Sequence, residues 1–235
     1  MNALTPVPRH EVRRLSLTVV GAALFLSSAT VHGEMIPGFD GWHQSVSALA
    51  LGQYGWIQAL SFAVFGSLVL VTVPAWRRIL AGGTGATWFP ILATALGTSF
   101  ILLSLFPQDP APGYDPAGLA LTEPTTTGLI HLALAGVMAA AFVGAMLVLG
   151  ARFASNPHWR GWATWSRIMA ALTIACIAVY GVWSTRPTGL AGTFERMGAA
   201  IPAVWLSTVL YRMWNGAPFM LCTNRLRPPR TGSTG

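Results

Sequence analysis

Six apolar runs recur along the 235-residue chain. Each is about 18 to 23 residues long, enough as a helix to cross about 30 Å of hydrocarbon. They cover residues 15–33, 56–75, 88–106 and 128–150, the stretch between Arg167 and Arg186, and residues 194–214. Their ends carry residues suited to a membrane boundary. Arg13 and Arg14 precede the first run, Trp56 and Trp76 bracket the second ahead of Arg77 and Arg78, and Pro107-Gln108-Asp109-Pro110 stops the third. The pattern predicts an all-α integral membrane protein, a six-helix bundle occupying residues 15–215. Residues 1–14 then form a cytoplasmic N-terminal segment. Residues 216–235, ending in an Arg-, Pro-, Gly-, Ser- and Thr-rich stretch, form an unstructured cytoplasmic tail.

Composition points the same way. Apolar residues make up 53% of the chain and charged residues 9%, against roughly 25% charged in a soluble domain. Lipid can solvate such an exterior, whereas water cannot. All 14 basic residues are Arg. With the N-terminus inside, only Arg186 and Arg196 fall on the outer side, the bias that orients a multi-pass protein N-in and C-in in the inner (plasma) membrane. The net charge of +7 is thus spread over cytoplasmic loops rather than gathered into a nucleic-acid footprint. Cys176 and Cys222 should sit at different depths, so neither a disulfide nor a metal-ligand spacing is expected. The N-terminal run also has the basic start and small Ser27 and Ala29 of a signal peptide, but its apolar stretch continues to spanning length.

The outer loops, residues 34–55 and 107–127, are the long ones, and long loops in small proteins tend to carry function. Within the first, Asp40 to Leu49 reads as a short N-capped helix with Trp42, Val46, Leu49 and Ala50 on one face, placed to lie in the membrane interface. Gly66, Gly97, Gly136, Gly144 and Gly181 read as close helix-packing positions. Pro74, Pro90 and Pro202 read as kinks or helix ends. The two halves share no motif, so an inverted-repeat transporter is not supported.

The candidate chemistry gathers at one depth. His32, His43, Ser47, Asp109, His131, Glu195 and Arg196 all fall near the outer edge of the spans, where ionisable groups are costly. Asp109, His131 and Ser47 are the catalytic candidates, in acid, base or nucleophile roles. Ser45 or Ser47 with His43 and Asp109 supplies the residue types of a nucleophile, base and orienter, but also those of ordinary helix caps. His43, Glu195 and Arg196 are the ligand-binding candidates. Arg196 can pair with Asp109 or Glu195, or join Arg186 around an anionic head group. No metal site and no cofactor are predicted from local spacing. A metal on the outer histidines, or a haem between His32 and His131, is the alternative.

Several stretches together resemble a known family. His43-Gln44-Ser45-Val46-Ser47-Ala48-Leu49-Ala50-Leu51-Gly52 with Tyr54-Gly55-Trp56 is similar to the opening segment of the bacterial membrane family known as domain of unknown function 998. Phe106-Pro107-Gln108-Asp109-Pro110 with Gly128-Leu129-Ile130-His131 resembles its second signature, and Phe194-Glu195-Arg196 its third. The resemblance implies about six helices and no established activity. It also implies that Ser47, Asp109, His131, Glu195 and Arg196 form one connected outer constellation. The functional expectation is a lipid- or partner-binding membrane module in contact with the bilayer. A membrane-embedded hydrolase or transferase acting on a lipid or isoprenoid head group is the alternative, and a transporter the third. No nucleic-acid partner is expected, and oligomeric state is not legible.

Overall fold

The computed structural model describes residues 3–221 apart from Pro112, Ala117, Ala120 and Pro187. Cys222 and Arg225, Arg227 and Arg230 lie outside the described residues. Six long helices form where the apolar runs lie: α1 (Arg9–Met35), α2 (Gly55–Leu80), α3 (Trp88–Leu103), α4 (Thr126–Ala154), α5 (Arg160–Trp183) and α6 (Ala191–Trp214). The fold is all-α apart from one small ribbon. Four helical stretches are long and apolar enough to cross a membrane: α1, α2, α4, and α5 with its 3-10 lead-in from Pro157. The apolar α3 has 16 residues, and α6 carries Glu195, Arg196 and Arg212 along its length.

Each helix packs on its neighbours in chain order, and α6 returns to α1. Two apolar clusters fill the interior. In one, Phe25, Phe62, Phe65 and Phe100 stack with ring centroids 4.5 to 5.9 Å apart. The other holds Trp76, Phe89, Phe153, Trp159 and Trp205. Trp76 therefore belongs to the core, at 2% exposure, and packs 4.6 Å from Phe89 rather than lying in an interfacial belt. Trp56 and Trp88, exposed at 63% and 64%, do sit on the surface.

Gly66 and Gly97 bring α2 and α3 into close approach, because a Cβ on either would press on the other's carbonyl oxygen. Gly144 lies against Leu92, whereas a Cβ at Gly136 or Gly181 would meet nothing, so these last two are not packing positions. The prolines do not break their helices: α2 continues past Pro74 and α6 past Pro202. Pro90 falls in the first turn of α3, where no intrahelical donor is needed.

Two local features differ from the sequence reading. The short helix expected between the first two spans is a five-residue 3-10 turn, Val46–Ala50, in the α1–α2 loop, capped by Ser45, whose Oγ accepts the Ala48 N–H. Its Val46, Ala48 and Leu49 are buried in protein, while Trp42 precedes the turn and is 69% exposed, so no amphipathic face is offered to the interface. The segment after α6 is not wholly irregular either. Pro218–Leu221 forms β2, antiparallel to β1 (Ala3–Pro6), and the ribbon ties the two ends of the described chain together. Trp159 Nε1 donates to the Pro218 carbonyl at 2.8 Å and so fixes this ribbon to the α4–α5 connection.

Candidate functional site

The first turn of α6 is the hub of the helix ends that carry the α1–α2 and α3–α4 loops. Backbone amides at a helix start lack intrahelical partners, and here Gly192 N–H and Thr193 N–H donate to the carbonyls of His43 and Trp42 at 3.2 and 3.0 Å. The next turn completes the grip. The Glu195 carboxylate accepts the Val46 N–H at 2.5 Å and that of Ser47, the amides that open the 3-10 turn. Arg196 Nη1 donates to the carbonyls of Gly41, Gln44 and Gly192 at 2.6, 3.2 and 3.1 Å, and its guanidinium lies 6.0 Å from the Phe39 ring centroid. Gly192 is obligatory, because a Cβ there would overlap the Gly41 and Gln44 carbonyls. Glu195 and Arg196 thus hold main-chain atoms of the α1–α2 loop. Ser47 is buried and enters this clamp through its backbone.

Asp109 and His131 form a second corner. Asp109 accepts the Thr125 N–H at 2.9 Å and the Thr125 hydroxyl at 2.6 Å, and Thr125 Oγ1 accepts the Gly128 N–H at 3.0 Å. The carboxylate therefore lies at the positive end of the α4 dipole, and Gly128 leaves room for it, since a Cβ there would overlap it. One turn on, buried His131 donates from Nδ1 to the Phe106 carbonyl at 2.7 Å. That bond fixes the ring and ties α4 to the end of α3. The residues of the expected constellation fall in two hydrogen-bonded assemblies bridged by Gln108, whose Oε1 accepts from Ser45 and whose Nε2 donates to the Asp109 carbonyl at 3.3 Å, while His32 lies on α1.

A cavity of about 390 Å³ opens between these assemblies, at the start of α4 and the end of α5. His43, Ser45, Gln108 and Asp109 line it from the loops, Tyr180, Ser184, Thr185 and Arg186 from α5 and the turn after it, and Leu129 and Leu132 from α4. Leu129 and Leu132 are 53% and 69% exposed, so its α4 wall continues onto the apolar exterior. Ser45 donates to Gln108 Oε1 at 2.9 Å and is also hydrogen-bonded to Tyr180. Arg186 is exposed, and its guanidinium has no hydrogen bond or ion pair among the described residues.

Of the two readings of Ser45, His43 and Asp109, capping and loop hydrogen bonding is the one seen: Ser45 caps the 3-10 turn and Asp109 holds Thr125. Asp40, not Asp109, pairs with His43: its Oδ2 lies 2.7 Å from Nδ1, and its Oδ1 accepts the Trp42 N–H at 2.9 Å. That Trp42 amide, and then the His43 ring, hold the Asp40 carboxyl below its usual range. Sequence reasoning missed Tyr180, Gln108 and Thr125. Tyr180 ends an apolar run, where an aromatic reads as a membrane anchor. Thr125 carried a usable signal, because a Thr directly before an apolar run is a favoured helix N-cap.

No curated protein and no solved structure matches this chain. The family described as Protein of unknown function (DUF998) matches residues 19–212, which include both assemblies and the cavity-lining residues. The chain therefore belongs to the DUF998 family.

Proposed function

We propose that the protein is a six-span inner-membrane protein, N-in and C-in, that binds the anionic head group of an outer-leaflet amphiphile between α4 and α5. The cavity carries this reading. It sets an uncommitted arginine, Arg186, beside the polar side chains of His43, Tyr180, Ser184 and Thr185, and its α4 wall passes into exposed leucines. A guanidinium can meet a phosphate bidentately, while Leu129 and Leu132 would lie along the acyl or isoprenoid chain. The site thereby moves from Arg196, whose Nη1 is taken by backbone carbonyls, to Arg186. Native mass spectrometry of protein extracted with bound lipid tests this. Wild type should retain a phospholipid that Arg186→Ala loses and Arg196→Lys keeps. Equal retention by wild type and Arg186→Ala would remove the reading.

The Asp40–His43 pair favours a second reading, a hydrolase acting in the same cavity. A carboxylate on Nδ1 orients the ring so that Nε2 could take a proton from water. Head-group release from phosphatidylglycerol nanodiscs, abolished by His43→Ala, is its signature. A wild type that releases nothing beyond empty nanodiscs would dismiss it for that lipid.

A further inference from the structure

The seam between α1 and α2 keeps one register along its length. Glu11 is bonded to Arg78 at 2.8 and 3.0 Å. Seven residues along α1, the Thr18 hydroxyl meets that of Thr72 at 3.2 Å. Seven further, Phe25 stacks on Phe65 at 5.7 Å. Each step forward on α1 is matched by six or seven residues backward on α2, the recurrence of one helix face after two turns. Continued by seven residues on each helix, the same register pairs His32 with Gln58.

Both side chains are buried, His32 at 3% and Gln58 at 0% exposure. Neither ring nitrogen of His32 and neither amide atom of Gln58 has a hydrogen-bond partner among the described residues. Buried polar groups are rarely left unpaired, because each unsatisfied group costs about 1–3 kcal/mol. A cap of protein covers this end of the seam. The Phe39 ring closes over Gly33, beside His32, with Leu49 within reach. Phe39 also packs edge-on to Tyr114 at 5.3 Å, whose buried hydroxyl is likewise unpartnered among the described residues.

We infer that His32 and Gln58 form one two-sided polar site between α1 and α2 that binds a water molecule bridging the imidazole and the carboxamide. Water is the ligand because it both donates and accepts, and buried waters typically make about three hydrogen bonds to such groups. His32 supplies one donor and one acceptor when neutral, and Gln58 supplies both kinds as well. The aromatic layer of Phe25, Phe62, Phe65 and Phe100 lies directly below and closes the site toward the membrane interior. His32 thereby has a role outside the haem and metal alternatives.

A double-mutant cycle on the purified full chain tests the pairing, and an NMR contact tests the ligand. His32→Leu and Gln58→Leu should each lower the thermal midpoint, since each leaves a buried polar partner behind. The combined variant should lie at or above the better single one, including where a single variant does not fold. Losses that simply add would overturn the pairing. In wild type with labelled histidine, the His32 ring should show a nuclear Overhauser contact to long-lived water. A coupled pair without that contact would mean a direct His–Gln bond and overturn the bound water.

Discussion

Glu195 accepts the backbone N–H of Val46 across 149 residues of sequence, and beside it Arg196 donates to the carbonyls of Gly41 and Gln44. Two adjacent side chains thus satisfy opposite kinds of main-chain group in one loop. Glu195→Ala should cost about 1–3 kcal/mol, since it strands amide donors, and Glu195→Gln less, because the amide oxygen still accepts. Protease sensitivity within residues 36–54, measured beside the thermal midpoint, should rise in the alanine variant. An unchanged loop in Glu195→Ala would refute the clamp.

Asp109 and Gly128 should behave as a coupled pair. Asp109→Ala removes a helix-start carboxylate and should cost about 1 kcal/mol. Gly128→Ala forces a methyl into the carboxylate's position and should cost more alone than in the Asp109→Gly background. Thermal midpoints of the four proteins check this, and equal penalties in both backgrounds would contradict the shared space.

The Asp40 carboxyl is held low by the Trp42 amide first and by His43 after it. A group with a depressed folded value stabilises the fold above its unfolded value, here near 3.8, and that contribution disappears as pH falls through the lower folded value. Wild type should therefore exceed Asp40→Asn in thermal midpoint at neutral pH, with the gap closing at strongly acidic pH. A gap that widens on acidification would reverse the sign and reject the assignment.

Sidedness is open to direct labelling. In a chain without its two native cysteines, Leu119→Cys should react with an impermeant maleimide on intact spheroplasts, and Thr84→Cys only after lysis. The reverse pattern would invert the orientation read from the arginines.

The helices were legible because lipid imposes a length and water an end: the Arg, Trp and Pro flanks bound all six. The clamp was not legible, because carbonyls at Gly41 and Gln44 and amides at Val46 and Ser47 exist at every residue and leave no compositional mark. Glu195-Arg196 announced that something was held, not that it was backbone. That Asp109 and His43 line one cavity yet pair with Thr125 and Asp40 rather than with each other was equally hidden, since similar depth says nothing of which side chains meet. Asp40 and Ser45 are both good caps, so the sequence permits a helix from either, and only the burial of Val46 and Leu49 decides for the shorter 3-10 turn. The ribbon escaped because its strands are only four residues long.

Photo-crosslinking from the cavity's apolar wall tests the central claim most directly. p-Benzoylphenylalanine at Leu132, in nanodiscs of mixed phosphatidylglycerol and phosphatidylcholine, should yield adducts enriched in the anionic lipid, and Arg186→Ala should abolish the enrichment. Adducts that match the bulk lipid ratio in both proteins would contradict a head-group site between α4 and α5.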